Sequence, residues 1–358
     1  MMKKRKHNFL PKECTNGHNL CFINHDILAQ LLVSGEEQSI FWHRMHFTDT
    51  KEKDDFKNST DIFGWLEKYQ KTDDRKQILK TVAFPALLSD FLHFIYESLN
   101  TSKKGKLSVS YSLLRKPIQE ILYIFELLLV DIDKFSDQLL TEPEKLYSQS
   151  CGGVEVHKKR IDDVLNILGI NDLFDSEYLA ELRYDKSSLD GFDGICNKAI
   201  HLFTGHKSIK TEPININFVF SNYDSKLTQW YYLYSRLPYL LVYSRMVIEK
   251  VASTICLTSP EYNNDIERRS SAAILLWKNE LTEGYINNYL QKLIDSTETR
   301  LRKQCTENGY SIPENIDLNR MRDTGAFPKE SNRSVKKRNR EYNRISKANI
   351  RDKNGKST

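Results

Sequence analysis

"KLSVSYSLLRKPIQEILYIFELLLVDIDKFSDQLL", residues 106–140, is apolar on nearly every side. A helix of that kind cannot face water along any stripe, so it has to be wrapped by other elements. Pro117 suits the first turn of a helix, where its missing N–H is not needed. The stretch therefore reads as one central helix, or as two in series with the second starting at Pro117.

The wrapping elements are legible on either side. In "RKQILKTVAFPALLSDFLHFIYESL" (75–99), Ile78, Val82, Leu87, Phe91, Phe94 and Ile95 recur at intervals near three and four. That spacing predicts an amphipathic helix, kinked at Pro85. Further helical runs lie in 157–170, about 227–256 and 265–305. "TEPININFVFS" (211–221) alternates Ile214, Ile216, Phe218 and Phe220 against Asn215, Asn217 and Val219, a strand pattern. The charge-rich run 48–61 offers no apolar period and reads as a loop. The expected fold class is mainly α: a helical bundle with a small β element near 214–220 and a disordered basic C-terminal tail.

Composition bounds the rest. Apolar residues make up 39% and aromatics 11% of 358 residues, ample for a core in a chain that exceeds the size of one simple domain. Three parts are expected: an N-terminal Cys/His-containing segment with the charged loop (1–60), a helical core (61–325) and the tail (326–358). Residues 329–358 hold eleven Lys/Arg and three Asp/Glu, a net +8, while the other 328 residues carry −3. Such a tail buries too little to offset its ordering entropy. The opening "MMKKRKHNFLPKEC" has no apolar run after its basic cluster, which predicts a cytoplasmic protein. The two most apolar stretches contain Glu126, Asp131, Arg236 and Arg245. Each charge would cost roughly 2.5–3.5 kcal/mol at mid-membrane, so no membrane association is expected. Six dispersed cysteines suggest reduced thiols rather than a disulfide framework.

Five features could carry chemistry, and each has a plainer structural reading. A helix over about 194–204, opened by Asp190 or Asp193 and closed at Gly205, would align Asn197, His201 and Thr204 on one polar stripe. That stripe is either a working surface, with Arg183 just before it, or a solvated face whose histidine suits the helix C-terminus. Arg115 sits among apolar neighbours and needs a partner. Glu120 or Glu126 would serve internally; a phosphate would serve in a cleft. Tyr232, Arg236, Tyr239 and Tyr243 share a helix face, as core side chains or as a stack for bases. Cys14, His18, Cys21 and His25 could hold zinc, the one cofactor the sequence raises, although no C-x2-C pair is present. Lys336, Lys337, Arg338, Arg340 and Arg344 in the tail would attract phosphates. Walker, dinucleotide, G-x-S-x-G and H-E-x-x-H motifs are absent, which disfavours nucleotide hydrolysis and the familiar hydrolase classes.

"KGKLSVSYSLLRKPIQEILY" (104–123) with "ICNKAIHLFT" (195–204) resembles a group of uncharacterised bacterial helical proteins and, more distantly, the HEPN superfamily, over about residues 80–250. The resemblance implies a helical fold, often dimeric, that cleaves RNA in phage-defence or toxin systems through an Arg followed four to six residues later by His. It places His201 and Asn197 in the comparable position. No Arg precedes a His at that spacing here, so Arg115 or Arg183 would have to bring the cation. The expectation is a cytoplasmic nucleic-acid-associated protein, RNA before DNA, with Arg115, Asn197, His201, Arg236 and Tyr239 around the ligand, as a binder or a ribonuclease, and the resemblance implies a homodimer. The contrasting expectation is a helical module that holds another protein and carries no chemistry.

Overall fold

The computed structural model describes residues 8–147, 152–338, 340 and 341. In chain order the helices are α1 (Thr15–Glu37), α2 (Thr50–Asn58), α3 (Ile62–Lys68), α4 (Thr72–Lys103) and α5 (Leu107–Arg115). A π-helical turn, Lys116–Ile121, leads into α6 (Leu122–Val130) and α7 (Ile132–Thr141). Then come α8 (Val154–Leu168), α9 (Ser176–Tyr184), α10 (Phe192–Ile200), α11 (Tyr223–Ser253), α12 (Pro260–Lys278), α13 (Asn288–Glu307) and α14 (Asn315–Thr324). The fold is mainly helical.

Helix α11 is the axis. Its residues from Leu233 to Arg245 are buried without a break, and it packs on α1, α5, α6 and α8. Helix α4 lies against α1 and α5 and contains Pro85. By length and composition α4 is the one described helix that could cross a membrane, yet Phe84, Leu88, Phe91, Ile95 and Leu99 on it are sealed in the core. Helix α1 joins the same core through Leu20, Cys21 and Leu28.

The central stretch resolves into both readings at once: α5 and α6 are in series, joined by the π turn rather than broken. Pro117 cannot donate to a carbonyl one turn back, and a widened turn accommodates the missing bond. Carbonyls within this turn find partners elsewhere. Arg183 Nε donates to the Ile118 carbonyl at 2.6 Å, and the Tyr184 hydroxyl to that of Gln119 at 3.0 Å.

A buried charge cluster sits beside that turn. Glu126 is fully buried and accepts from Arg183 Nη1, from Arg160 Nε at 3.1 Å and from the Tyr243 hydroxyl at 2.7 Å. Burial alone would raise the Glu126 pKa, but Arg183 and Arg160 beside it hold it below the usual carboxylate range. Removing one member leaves an uncompensated charge in the interior.

Two expected elements are corrected. Among the described residues there is no strand: 213–220 is a chain of turns, with Ile214 and Phe218 both at φ 60°. Turn bonds Asn215 N to Glu212 O, Val219 N to Ile216 O and Ser221 N to Phe218 O take the place of a ladder, and the bonds to the neighbouring segment, Thr211 N to Thr204 O and Asn217 N to Leu202 O, are too far apart along the chain to build one. The charged run 48–61 is not a loop. Asp49 caps the first turn by accepting from Glu52 N, and Phe56 turns inward onto Trp65. One aromatic and one cap suffice for this short helix.

The tail is also corrected in part. Residues 326–338 are packed, with Ala326, Phe327, Glu330 and Val335 buried, and residues 332–338 are helical. Phe327 stacks on Tyr310 at 4.3 Å and lies under the guanidinium of Arg268 at 4.1 Å, which gives the tail an apolar and cation–π anchor that composition hides. Arg344 lies outside the described residues.

Replacing Arg183 by Met should lower the unfolding free energy by about 3–5 kcal/mol, read from urea denaturation, because Glu126 loses its closest cation. A loss under about 1 kcal/mol would show that the cluster is not a stability determinant. His18 gives a second check. Burial, with Lys103 adding to it, lowers its pKa from 6.5 to about 4, so the imidazole is neutral in the folded state. Its contribution is complete above the unfolded value and declines as pH falls toward the folded one, by about 2 kcal/mol between pH 6.5 and 5. The variant His18→Gln should flatten the pH dependence of the urea midpoint in that window.

Candidate nucleic-acid interface

Gly191 is the N-cap of helix α10, and a Cβ there would lie 2.4 Å from the Asp185 carbonyl oxygen. Neither Asp190 nor Asp193 caps it. Asp193 Oδ1 instead accepts from Gln119 Nε2 and from Asn197 Nδ2, both at 2.9 Å, with Lys186 Nζ 3.8 Å from Oδ2. Gln119 Oε1 accepts from Arg115 Nε at 3.3 Å. Arg115 and Asn197 thus belong to one polar chain that ties the π turn to α10. The partner of Arg115 is an amide, not Glu120 or Glu126.

His201 is separated from that chain by the helix end. Helix α10 stops at Ile200, and His201 is extended at φ −110° and ψ 135°. The expected stripe through Thr204 does not form. Thr204 turns away to bond the Ile209 carbonyl and Thr211, while Asn217 Nδ2 donates to the His201 carbonyl at 2.9 Å. Gly205 does not adopt the left-handed cap. The His201 side chain is exposed and has no hydrogen-bond partner among the described residues. Arg183 is fully buried and committed to Glu126, Ile118 and Tyr184. It cannot serve a reaction at His201.

On another side of α10, Gly194, Ile195 and Lys198 face a cleft of about 630 Å³ shared with the 208–221 loop and α11. Arg236 lines it. This guanidinium is only 5% exposed, sits 2.9 Å from Asp190 Oδ1 and donates from Nη1 to the Tyr285 carbonyl at 2.6 Å. Asp190 Oδ2 accepts the Tyr178 hydroxyl at 2.8 Å and Asn287 Nδ2 at 3.2 Å, which fixes the cleft's one carboxylate. Tyr232 reaches the cleft too, but Tyr239 and Tyr243 are sealed in the core, with Tyr239 edge-on to Phe174 and Tyr178. Tyr239 offers no face to a base. The face is core, because a central helix buries every side it has.

The zinc expectation fails on geometry. Cys14 is the N-cap of α1 and His18, Cys21 and His25 follow along it, a span of about 16 Å in helical rise from first to last, too long to converge at bond lengths of about 2.0–2.3 Å. His18 Nδ1 is hydrogen-bonded to the Tyr234 hydroxyl at 2.8 Å and His25 Nδ1 lies 2.8 Å from Asp26. Burial pushes the Cys14 thiol up to about 12 and Cys21 also well upward, against the thiolate a metal needs. Among the described residues no three His, Cys, Asp or Glu side chains form a metal cluster.

The basic residues of the tail divide by orientation. Arg338 points inward, donating to Glu330 Oε1 and, at 2.7 Å, to the Gly325 carbonyl, with its guanidinium 5.2 Å from the Phe327 ring. Lys336, Lys337 and Arg340 are exposed, and so is Arg333, which sequence reasoning did not single out. Helical spacing of 333, 336, 337 and 340 was its available signal. Gln119 was also missed, and Asp190 and Asp193 were read only as helix caps, since nothing local marks an amide or a carboxylate whose partners include residues as far off as Gln119 from Asp193, Arg236 from Asp190 and Asn287 from Asp190. No family model matches this chain, and neither the curated proteins nor the solved structures contain a match.

Proposed function

We propose that the chain binds nucleic acid through the phosphate backbone, using the exposed face of its C-terminal helical segment. One observation carries this reading. Arg333, Lys336, Lys337 and Arg340 stand at i, i+3, i+4 and i+7, all exposed, and none forms an ion pair among the described residues. Val335 and Arg338 occupy the inward side of the same segment. A pre-formed row of cations avoids the ordering cost that a disordered tail would meet on binding. RNA is the ligand favoured by the HEPN resemblance. Cleavage is not part of the proposal, since Arg183 is engaged by Glu126 and Arg115 by Gln119.

A specific observation also favours a protein partner. Leu202, Phe203, Val219 and Phe220 are 61%, 65%, 56% and 63% exposed in the 201–221 region. Apolar contacts of that kind do not weaken with salt, whereas phosphate contacts do.

The test is a titration of single-stranded RNA at several salt concentrations, with single-stranded DNA alongside. Changing Arg333, Lys336, Lys337 and Arg340 together to Ala should reduce the slope of log K against log salt by about 2.8, the value for four phosphates on a single strand. An unchanged slope would refute the helix as the contact surface. Association with a protein that persists in high salt would favour the apolar region instead.

A further inference from the structure

We infer that the cleft between α10, the 208–221 loop and α11 is a nucleotide site, taking an amino-bearing base at Gln229 and a phosphate near Lys198. Gln229 Oε1 and Arg236 Nε are both buried side-chain atoms without a hydrogen-bond partner among the described residues, and both residues line this cleft. An unmet acceptor or donor in the interior costs about 1–3 kcal/mol; because each of these atoms exposes less than 1 Å², its side chain has to turn toward the cleft for a ligand to satisfy it and regain that cost. The two are i and i+7 on α11, on one face and about 10.5 Å apart in helical rise. A ligand must therefore donate toward one end and accept toward the other.

The remaining walls narrow the class. Phe218, Phe220, Tyr232 and Tyr285 supply aromatic surface, and Phe220 is 63% exposed, available to a flat ring. Three cations, Lys186, Lys198 and Arg236, face the cleft against the single carboxylate of Asp190. Lys186 shares Asp193 and Arg236 holds Asp190, while Lys198 has no ion pair among the described residues. A purely apolar ligand would leave Gln229 and Arg236 unmet. A simple anion would leave the aromatic wall uncovered. A planar base with an exocyclic amine and a negative charge answers all four demands, and about 630 Å³ is in the size range of small-ligand sites. Two sources share this chemistry, a free mononucleotide and one nucleotide of a single strand.

The experiment uses the full chain carrying Ala at Arg333, Lys336, Lys337 and Arg340, so that binding by the C-terminal helix does not contribute and the two proposals fail separately. Calorimetric titrations with AMP, adenosine and a short single-stranded oligo(A) are compared at fixed salt. Adding Gln229→Leu should weaken AMP and adenosine alike, by about tenfold. Adding Lys198→Glu should weaken AMP by a similar factor and leave adenosine unchanged. Strong AMP binding, no tighter with oligo(A), assigns the site to a free nucleotide; oligo(A) binding that Gln229→Leu reduces, with AMP weak, assigns it to a strand. Either result supports the inference, provided the variants keep the parent's melting temperature. If neither ligand binds, or if binding ignores both substitutions, the inference is wrong.

Discussion

The structure depends on keeping one carboxylate charged in a dry interior. Glu126, fully buried on α6, is surrounded by Arg183 from α9, Arg160 from α8 and Tyr243 from α11. A carboxylate there without partners would be neutral or would unfold the chain, so the four helices are held at the distances these hydrogen bonds require. The aromatic surroundings tighten the arrangement: Arg160 lies 4.4 Å over the Tyr123 ring, and His157 stacks on Tyr184 at 3.6 Å. Apolar packing would accept several helix registers. This cluster accepts few.

From that cluster the order reaches the surface in two steps. Arg183 and Tyr184 occupy carbonyls of the π turn, so α9 and the turn are fixed together. The turn then directs Gln119 to Asp193 of α10, and the loop between α9 and α10 delivers Asp190 to Arg236. Pro117 is thus more than a punctuation mark between two helices. By denying one N–H it widens the turn, and the widened turn is what other helices hold. The cleft is a downstream product of a backbone irregularity inside the core.

Much of the fold was legible because it follows from side-chain period. Phe91 and Ile95 on α4 and the central apolar stretch are buried as their spacing predicts, whereas Val82 of the same run is 66% exposed. The errors share a cause as well. Alternation over 214–220 is a local pattern, but a strand needs a second edge, and sequence spacing does not report whether one is near. The helix expected through His201 ends four residues early, at Ile200, where the side chains of Thr204, Thr211 and Asn217 bond one another and nearby backbone, an alternative to helix open to short polar residues. Arg183 looked like a free cation because its partner is 57 residues away. The candidate site was therefore legible as residue types and illegible as a grouping, with only Arg115 and Asn197 brought into one hydrogen-bonded chain, through Gln119 and Asp193.

Net charge alone would place the +8 tail against the −3 remainder of the chain, with its cations neutralised by the body they hang from. Among the described residues, Arg333, Lys336, Lys337 and Arg340 escape that. The carboxylates nearest the root of the tail are already engaged: Asp265 by Arg268 and Arg269, and Glu330 by Arg338, Ser334 and the Phe327 N–H. Burial would raise the pKa of Glu330, yet these donors hold it below the ordinary carboxylate range, so it remains an anion for Arg338 at neutral pH. The inward arginine thereby satisfies the anchor, and the four outward cations keep their field for solvent. At physiological salt that field decays over about 8 Å, so it acts on a polymer that comes into contact rather than on one at a distance. For the proposed phosphate contact, fixing the segment would matter beyond the size of its charge, because a fixed row presents its cations together without an ordering cost.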